Sequence, residues 1–511
     1  MTRDLSRRSL LASGGALFAG SAVAAGVGAA DAHESATDPP PLRWSNTYDG
    51  ATADAVQGAL RTADGNYVVV GQSGEGTDSV APWAFAIDER GRRRWQRRVD
   101  TDDVAGFNAV VETDDGGLLL GGYRGQPSQS QEPLFVKLDA DREIQWQRTV
   151  ESPRQGGNVA SLVPAGSGRF VAIGLARGDS LPDVSGWIFA VDGAAERQWS
   201  RTYGPRHTNF VASVASTTDE GYVVGGGTRA EPTENEQPPF VGWLFEVDDE
   251  GNQQWSSTYR ESTEETDHRL NFFYDVHATD SGCLAAGGTS RDRLGREQYG
   301  WVLSVDGSGE RQGQLQTRPA EMDVGQFQGI RPFEGGYALV GVGRPTATDP
   351  TSVWAAGIDG ELARQWSAVQ QFANGSQATT ALGTDDDGLV VFGNANVEGG
   401  RTATDALALQ LGGDPVPTAT TGVTTGETTT ATATPSPTPS PTATASPSPT
   451  ATASTTETES VTQAPAVGDG AAGTTADDGH GFGAGVALAA LGGSALLRRT
   501  RRSHGHGSDE A

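Results

Sequence analysis

Gly242-Trp243-Leu244-Phe245-Glu246-Val247-Asp248-Asp249-Glu250-Gly251-Asn252-Gln253-Gln254-Trp255 decides the fold. Its first half alternates side chains as a strand does, Asp248 to Gly251 supplies a tight turn, and a second strand follows around Trp255. The stretch predicts a β-hairpin. Copies stand at Trp83 to Trp95, Trp187 to Trp199 and Trp354 to Trp366, with a Leu134 to Trp146 variant. A Trp301 copy keeps the turn but carries Gly313 where the second Trp would fall.

Upstream of each hairpin lies an Asp/Gly turn and then a short aliphatic strand, as in Asp64-Gly65-Asn66-Tyr67-Val68-Val69-Val70-Gly71. The first residue of that strand falls at 67, 118, 170, 222, 283, 337 and 389, in steps of 51, 52, 52, 61, 54 and 52 residues. A unit of about 50 residues with four short strands is the signature of a propeller blade, whose sheet buries its faces against its neighbours. The seventh unit ends at Leu411 without its Trp-bearing fourth strand, whereas Leu42-Arg43-Trp44-Ser45-Asn46-Thr47-Tyr48 has that strand's pattern and no partners of its own. The expected fold is therefore all-β, a seven-bladed propeller over residues 42–412 that an N-terminal outer strand closes, so that no edge is left unpaired.

The repeats resemble those of bacterial and archaeal propellers related to the pyrroloquinoline-quinone-enzyme and delta-60 repeat families. That resemblance bears on architecture, since such repeats serve enzymes, scaffolds and sensors alike. All eleven Trp residues lie in repeat positions, where packing between sheets accounts for them better than carbohydrate stacking.

The net charge of -28 excludes a general nucleic-acid surface, which needs clustered Lys and Arg. Lys137 is the only lysine, and the acidic, Gly-rich balance resembles secreted proteins of extreme halophiles. Cys283, the only cysteine, permits no intrachain disulfide and occupies a strand position that suits a buried apolar role.

Residues 1–32 contain Arg7 and Arg8, a weakly hydrophobic Gly/Ala run and Ala30-Asp31-Ala32, and resemble a twin-arginine export signal cleaved near Ala32. The resemblance implies the twin-arginine translocase as a partner. A membrane-spanning helix is the other reading of the segment. Residues 413–478 are mostly Thr, Pro, Ser and Ala, a composition that cannot build a core and reads as a disordered, O-glycosylated stalk. Residues 479–502 hold a short apolar run from Phe482 to Leu497 and then Arg498-Arg499-Thr500-Arg501-Arg502. Its sixteen residues would span about 24 Å as a helix, against roughly 30 Å of bilayer core. Stalk, Gly481-Phe482, apolar run and arginines together resemble a PGF-CTERM sorting signal, which implies a lipid anchor; a retained C-terminal transmembrane helix is the alternative. His480 stands where that family has Pro.

Chemistry is sparse. Polar residues expected on the innermost strands are Gln57, Asn108, Asn158, Asn209, His277 and Gln328, with no acid-base spacing among them. His207, His268 and His277 form no local metal motif. The insertion carrying His268, with Phe272, Phe273 and Tyr274, is the candidate interaction loop, its alternative being a solvated acidic loop. Asn374-Gly375-Ser376 is a candidate N-glycosylation site. No cofactor is expected and no catalytic or metal residue stands out. The sequence suggests an exported, surface-anchored, non-enzymatic binding or structural module of a halophilic archaeal-type envelope, its partner an unidentified surface protein or glycan. The alternative is an extracellular enzyme acting on polysaccharide or carrying a quinone.

Overall fold

The structure is a computed structural model that describes residues 37–76, 79–126, 131–178, 183–204, 208–229, 238–261, 270–290, 297–346, 348–396 and 404–414. Among these every regular element is a strand. Strand β1 (Leu42–Tyr48) is followed by an antiparallel meander of β2 (Ala53–Arg61), β3 (Tyr67–Gly74), β4 (Val80–Ile87) and β5 (Arg93–Arg98). The same arrangement recurs in β6 (Ala105–Glu112), β7 (Leu118–Arg124), β8 (Glu132–Leu138) and β9 (Ile144–Thr149). In the next repeat the first strand is split into β10 (Gly156–Gly157) and β11 (Ser161–Pro164), both paired with β12 (Arg169–Arg177), before β13 (Val184–Asp192) and β14 (Arg197–Tyr203).

Next come β15 (Thr208–Ser216), β16 (Tyr222–Arg229), β17 (Val241–Val247) and β18 (Gln253–Tyr259). They are followed by β19 (Leu270–Thr279), β20 (Gly282–Ser290), β21 (Gln298–Asp306) and β22 (Arg311–Thr317). Then come β23 (Val324–Phe333), β24 (Gly336–Arg344), β25 (Ser352–Ile358) and β26 (Arg364–Gln370). The last repeat has three sequential strands, β27 (Ser376–Gly383), β28 (Gly388–Asn396) and β29 (Thr404–Gly412). Its fourth is β1, which runs antiparallel to β29 from Leu42 against Leu411 to Tyr48 against Ala406.

Successive first strands touch. β2 lies against β6, β6 against β11, β11 against β15, β15 against β19, β19 against β23, β23 against β27, and β27 against β2. This cycle of repeated meanders is a β-propeller arrangement, in which the first strand of each unit is innermost.

The hairpin of the opening stretch owes its geometry to one aspartate. Asp248 Oδ1 accepts hydrogen bonds from the backbone N–H groups of Glu250, at 3.0 Å, and Asn252, at 2.8 Å. Asp306 and Asp359 do the same two and four residues on. The residue three past the aspartate takes a positive φ, as in Gly251 at 79° and Gly309 at 78°, which glycine adopts without steric cost.

Packing between units follows from the two Trp positions. Trp83, Trp187, Trp243, Trp301 and Trp354 on the third strands are fully buried, each contributing roughly 1.5–3 kcal/mol or more of transfer free energy. Three of these indoles donate across their own hairpin to a serine, Trp187 to Ser200, Trp243 to Ser256 and Trp354 to Ser367. The fourth-strand Trp residues lie elsewhere. The rings of Trp199 and Trp255 lie against Gly251 and Gly309 of the following unit, close enough that a Cβ there would come within 2.7 and 2.5 Å of them. Cys283 is buried among Phe273, Trp301 and Leu303, where burial pushes its thiol up to about 12, in keeping with an apolar role.

A second repeated feature shapes the centre. Pairing of the first two strands slips by one residue at Gln57, Asn108, Ala212, Tyr274, Gln328 and Thr379, so each of these innermost strands carries a β-bulge. Opposite each lies a glycine whose absent Cβ lets the strands approach. At Gly71 a Cβ would sit 1.8 Å from the Ala55 carbonyl oxygen, and at Gly226 2.0 Å from that of Phe210.

Candidate functional site

The bulges aim polar groups from one innermost strand to the next. Asn108 Nδ2 donates to the Val159 carbonyl at 2.6 Å, and Thr379 Oγ1 donates to the Val56 carbonyl at 3.2 Å. These link the second unit to the third and the last unit to the first. Asn158 Oδ1 accepts from Leu175 N at 3.1 Å, and Asn209 accepts from Thr228 Oγ1 at 2.7 Å while donating to the Val184 carbonyl.

A partly buried ion pair at the centre is built around Asp275, the residue after the bulge in β19. Its Oδ1 accepts from Ser213 Oγ at 2.7 Å and from Val276 N at 3.0 Å. Its Oδ2 accepts from Ile330 N at 3.0 Å and from the Arg331 guanidinium, which also reaches Thr380 Oγ1 at 3.3 Å. One carboxylate thus gathers donors from β15, its own β19 and β23, and Arg331 carries the chain of bonds on to β27. Four donors saturate the carboxylate, and removing one partner would strand a charge with an exposure of only 8%.

His277 stands two residues further along β19, half-buried, its ring centroid 5.5 Å from that of Tyr337. Burial holds its pKa below the usual histidine value and the nearby Arg331 charge lowers it further, so the imidazole is neutral at pH 7. Tyr274, at the bulge, is buried with its phenol beside Gln326 and Gln328, and burial raises its pKa.

The aromatic part of the candidate interaction loop is corrected by this placement. Phe272, Phe273 and Tyr274 are buried on β19: Phe272 packs on Phe210 and Phe273 stacks on Trp301 at 4.7 Å. The aromatic run was the first half of an innermost strand, whose inward and inter-sheet faces are both covered. His268 and His207 lie outside the described residues, as do Arg7, Arg8, Ala32, Gly481 and Phe482. Asn374 lies half-buried in the turn before β27, where its carbonyl accepts from Asn396 Nδ2 at 3.0 Å. No helix among the described residues is long and apolar enough to cross a membrane. Sequence reasoning missed Asp275, Ser213 and Arg331, because nothing local links residues 56 to 118 positions apart.

No family model matches the chain, and no curated protein matches it. Among solved structures it is similar to Sqt1 from Chaetomium thermophilum, at 12% identity over 69% of this chain and 82% of that one, with a TM-score of 0.41. A Dyadobacter fermentans protein of unknown function aligns at 13% identity over 73% and 99%, with a TM-score of 0.43. The Pan2 WD40 domain of Neurospora crassa aligns at 10% identity over 71% and 76%, with a TM-score of 0.31.

Proposed function

We propose that the chain is a closed seven-bladed propeller, exported folded through the twin-arginine route and held at the cell surface by its C-terminus, where it serves as a non-enzymatic binding or structural module. Counting the meanders, with β1 completing the last, supports seven blades. Arg7 and Arg8, the Thr/Pro-rich stalk and the apolar segment before Arg498 support export and tethering. The acidic composition supports a salt-rich exterior.

One observation carries the non-enzymatic reading. Asp275, a carboxylate on an innermost strand, is spent on four donors, three of them from adjacent units, so it is a strut and not an acid or base with a free lone pair. Protease shaving of intact cells, followed by surface crosslinking in native salt and mass spectrometry, tests the proposal. Loss of propeller peptides to external protease and capture of a surface partner are expected. Retention of the chain in the cytoplasm, or failure of Arg7→Lys with Arg8→Lys to block export, would contradict it.

A further inference from the structure

Three arginines occupy one position of the repeat. Three residues past the bulge-facing glycine stand Arg177 after Gly174, Arg229 after Gly226 and Arg344 after Gly341, each closing its second strand. Each pairs with the first residue of an innermost strand segment, Arg177 with Gly156, Arg229 with Thr208 and Arg344 with Val324. The three therefore lie on the same edge of their sheets, where second strands end and innermost strands begin.

All three are half-buried. Burial lowers the pKa of all three. The Arg229 guanidinium lies 4.4 Å over the Phe240 ring, and its Nε is buried without a hydrogen-bond partner, as is Nε of Arg344. Asp349, the acid whose charge acts on Arg344, already accepts from Thr346 Oγ1 at 2.8 Å. The chain has 65 acidic residues for 37 basic ones, yet among the described residues neither Arg229 nor Arg344 forms an ion pair. Arg229 and Arg344, half-buried and without a direct ion pair amid an excess of carboxylates, are suited to an external anion.

We infer that this rim binds a carboxylated or sulfated polysaccharide, with Arg229 and Arg344 each engaging one anionic group. The inference rests on the surface-module reading and names the ligand class for it. Cations repeated at steps around a ring suit a polymer whose anionic groups come at intervals, whereas a small anion would engage one arginine. A nucleic acid packs one charge into about every 1.7 Å of duplex axis, and a chain of net charge -28 would repel such a density. A glycan with one charge per sugar unit or fewer is less densely charged than a duplex and meets less of that repulsion.

The test is calorimetric titration of the full-length protein with polygalacturonate, using neutral dextran and single-stranded DNA as comparisons. Polygalacturonate binding is expected, with Arg229→Gln and Arg344→Gln each weakening it at least about fivefold and the double variant abolishing it. Arg92→Gln, in a hairpin turn at the opposite edge, should leave it unchanged. If a Gln variant melts early, Arg229→Lys and Arg344→Lys keep the charge and carry the comparison, with intermediate affinity expected. No binding of polygalacturonate, equal binding of dextran, unchanged affinity in the double variant or an equal loss from Arg92→Gln would overturn the inference. Single-stranded DNA binding through the same arginines would overturn the glycan assignment. A chain that shaving places at the surface but that ignores polygalacturonate refutes the rim alone.

Discussion

The Tyr48 hydroxyl donates a 2.8 Å hydrogen bond to the carbonyl of Gly91, joining the first strand of the chain to the hairpin turn of the first meander. Tyr203 makes the same bond to Gly251, and Tyr259 makes it to Gly309 at 2.6 Å. In both of those pairs a fourth strand reaches the turn of the unit that follows it. β1 therefore stands to the first meander as β14 stands to the fourth and β18 to the fifth. The innermost strands agree: Ala53 of β2 bridges Thr404 of β29 in parallel, as Thr208 bridges Val184 and Val324 bridges Gln298.

Replacing Tyr48 by Phe removes a buried hydrogen bond and leaves the Gly91 carbonyl with only the longer 3.4 Å bond from Asn46 Nδ2. A loss of about 0.5–1.5 kcal/mol is expected in denaturant unfolding. Tyr259→Phe should cost a similar amount, since the two hydroxyls do the same work.

Gly71→Ala should be far more damaging than its single methyl group suggests. The new Cβ would sit 1.8 Å from the Ala55 carbonyl oxygen, so the innermost strand must move. A loss of about 2–4 kcal/mol is expected, while Gly360→Ala, with no atom within 4 Å of its Cβ, should be near neutral. Equal melting temperatures for the two variants would refute the close approach.

Breaking the strap at the centre leaves a buried charge. Arg331→Met should destabilise by about 3–5 kcal/mol, and Asp275→Asn combined with it should recover part of that loss. A double-mutant cycle in urea reads the coupling.

Acid should act in two windows. His277 has a folded pKa below its unfolded value of 6.5, so the unfolded state binds the proton first and stability falls as pH drops below about 6.5 and on through the folded pKa. His277→Gln removes that slope. Asp115 is held down to about 2 by the Thr113 hydroxyl and then by Lys137, so its contribution is present above 3.8 and lost as pH falls toward 2. Asp115→Asn should flatten the melting-temperature profile in that lower window.

Much of the architecture was legible because its causes are local. An aspartate that caps a turn and a Trp that fills an inter-sheet gap recur at fixed spacing, so the repeat and the displaced strand around Trp44 could be read directly. The centre was less legible. Phe272, Phe273 and Tyr274 followed an insertion and looked like a loop, although their strand period already fits β19. The Asp275 strap joins residues far apart in the chain, and only the circular arrangement brings Ser213, Asp275 and Arg331 together. The glycines opposite the innermost strands had no reading in the sequence, because their reason, a bulge on the neighbouring strand, emerges only from the pairing.

Asn46 lies opposite Ala408 in the β1–β29 ladder. Opposed residues of antiparallel strands have Cα atoms about 4.5–5.5 Å apart, within the range a disulfide spans. The most direct measurement is therefore oxidation of the Asn46→Cys, Ala408→Cys double variant in a Cys283→Ala background, read by non-reducing electrophoresis and mass spectrometry. Circular closure predicts an intramolecular disulfide in the monomer, with raised thermal stability. Free thiols after oxidation, or bonds formed only between chains, would contradict it.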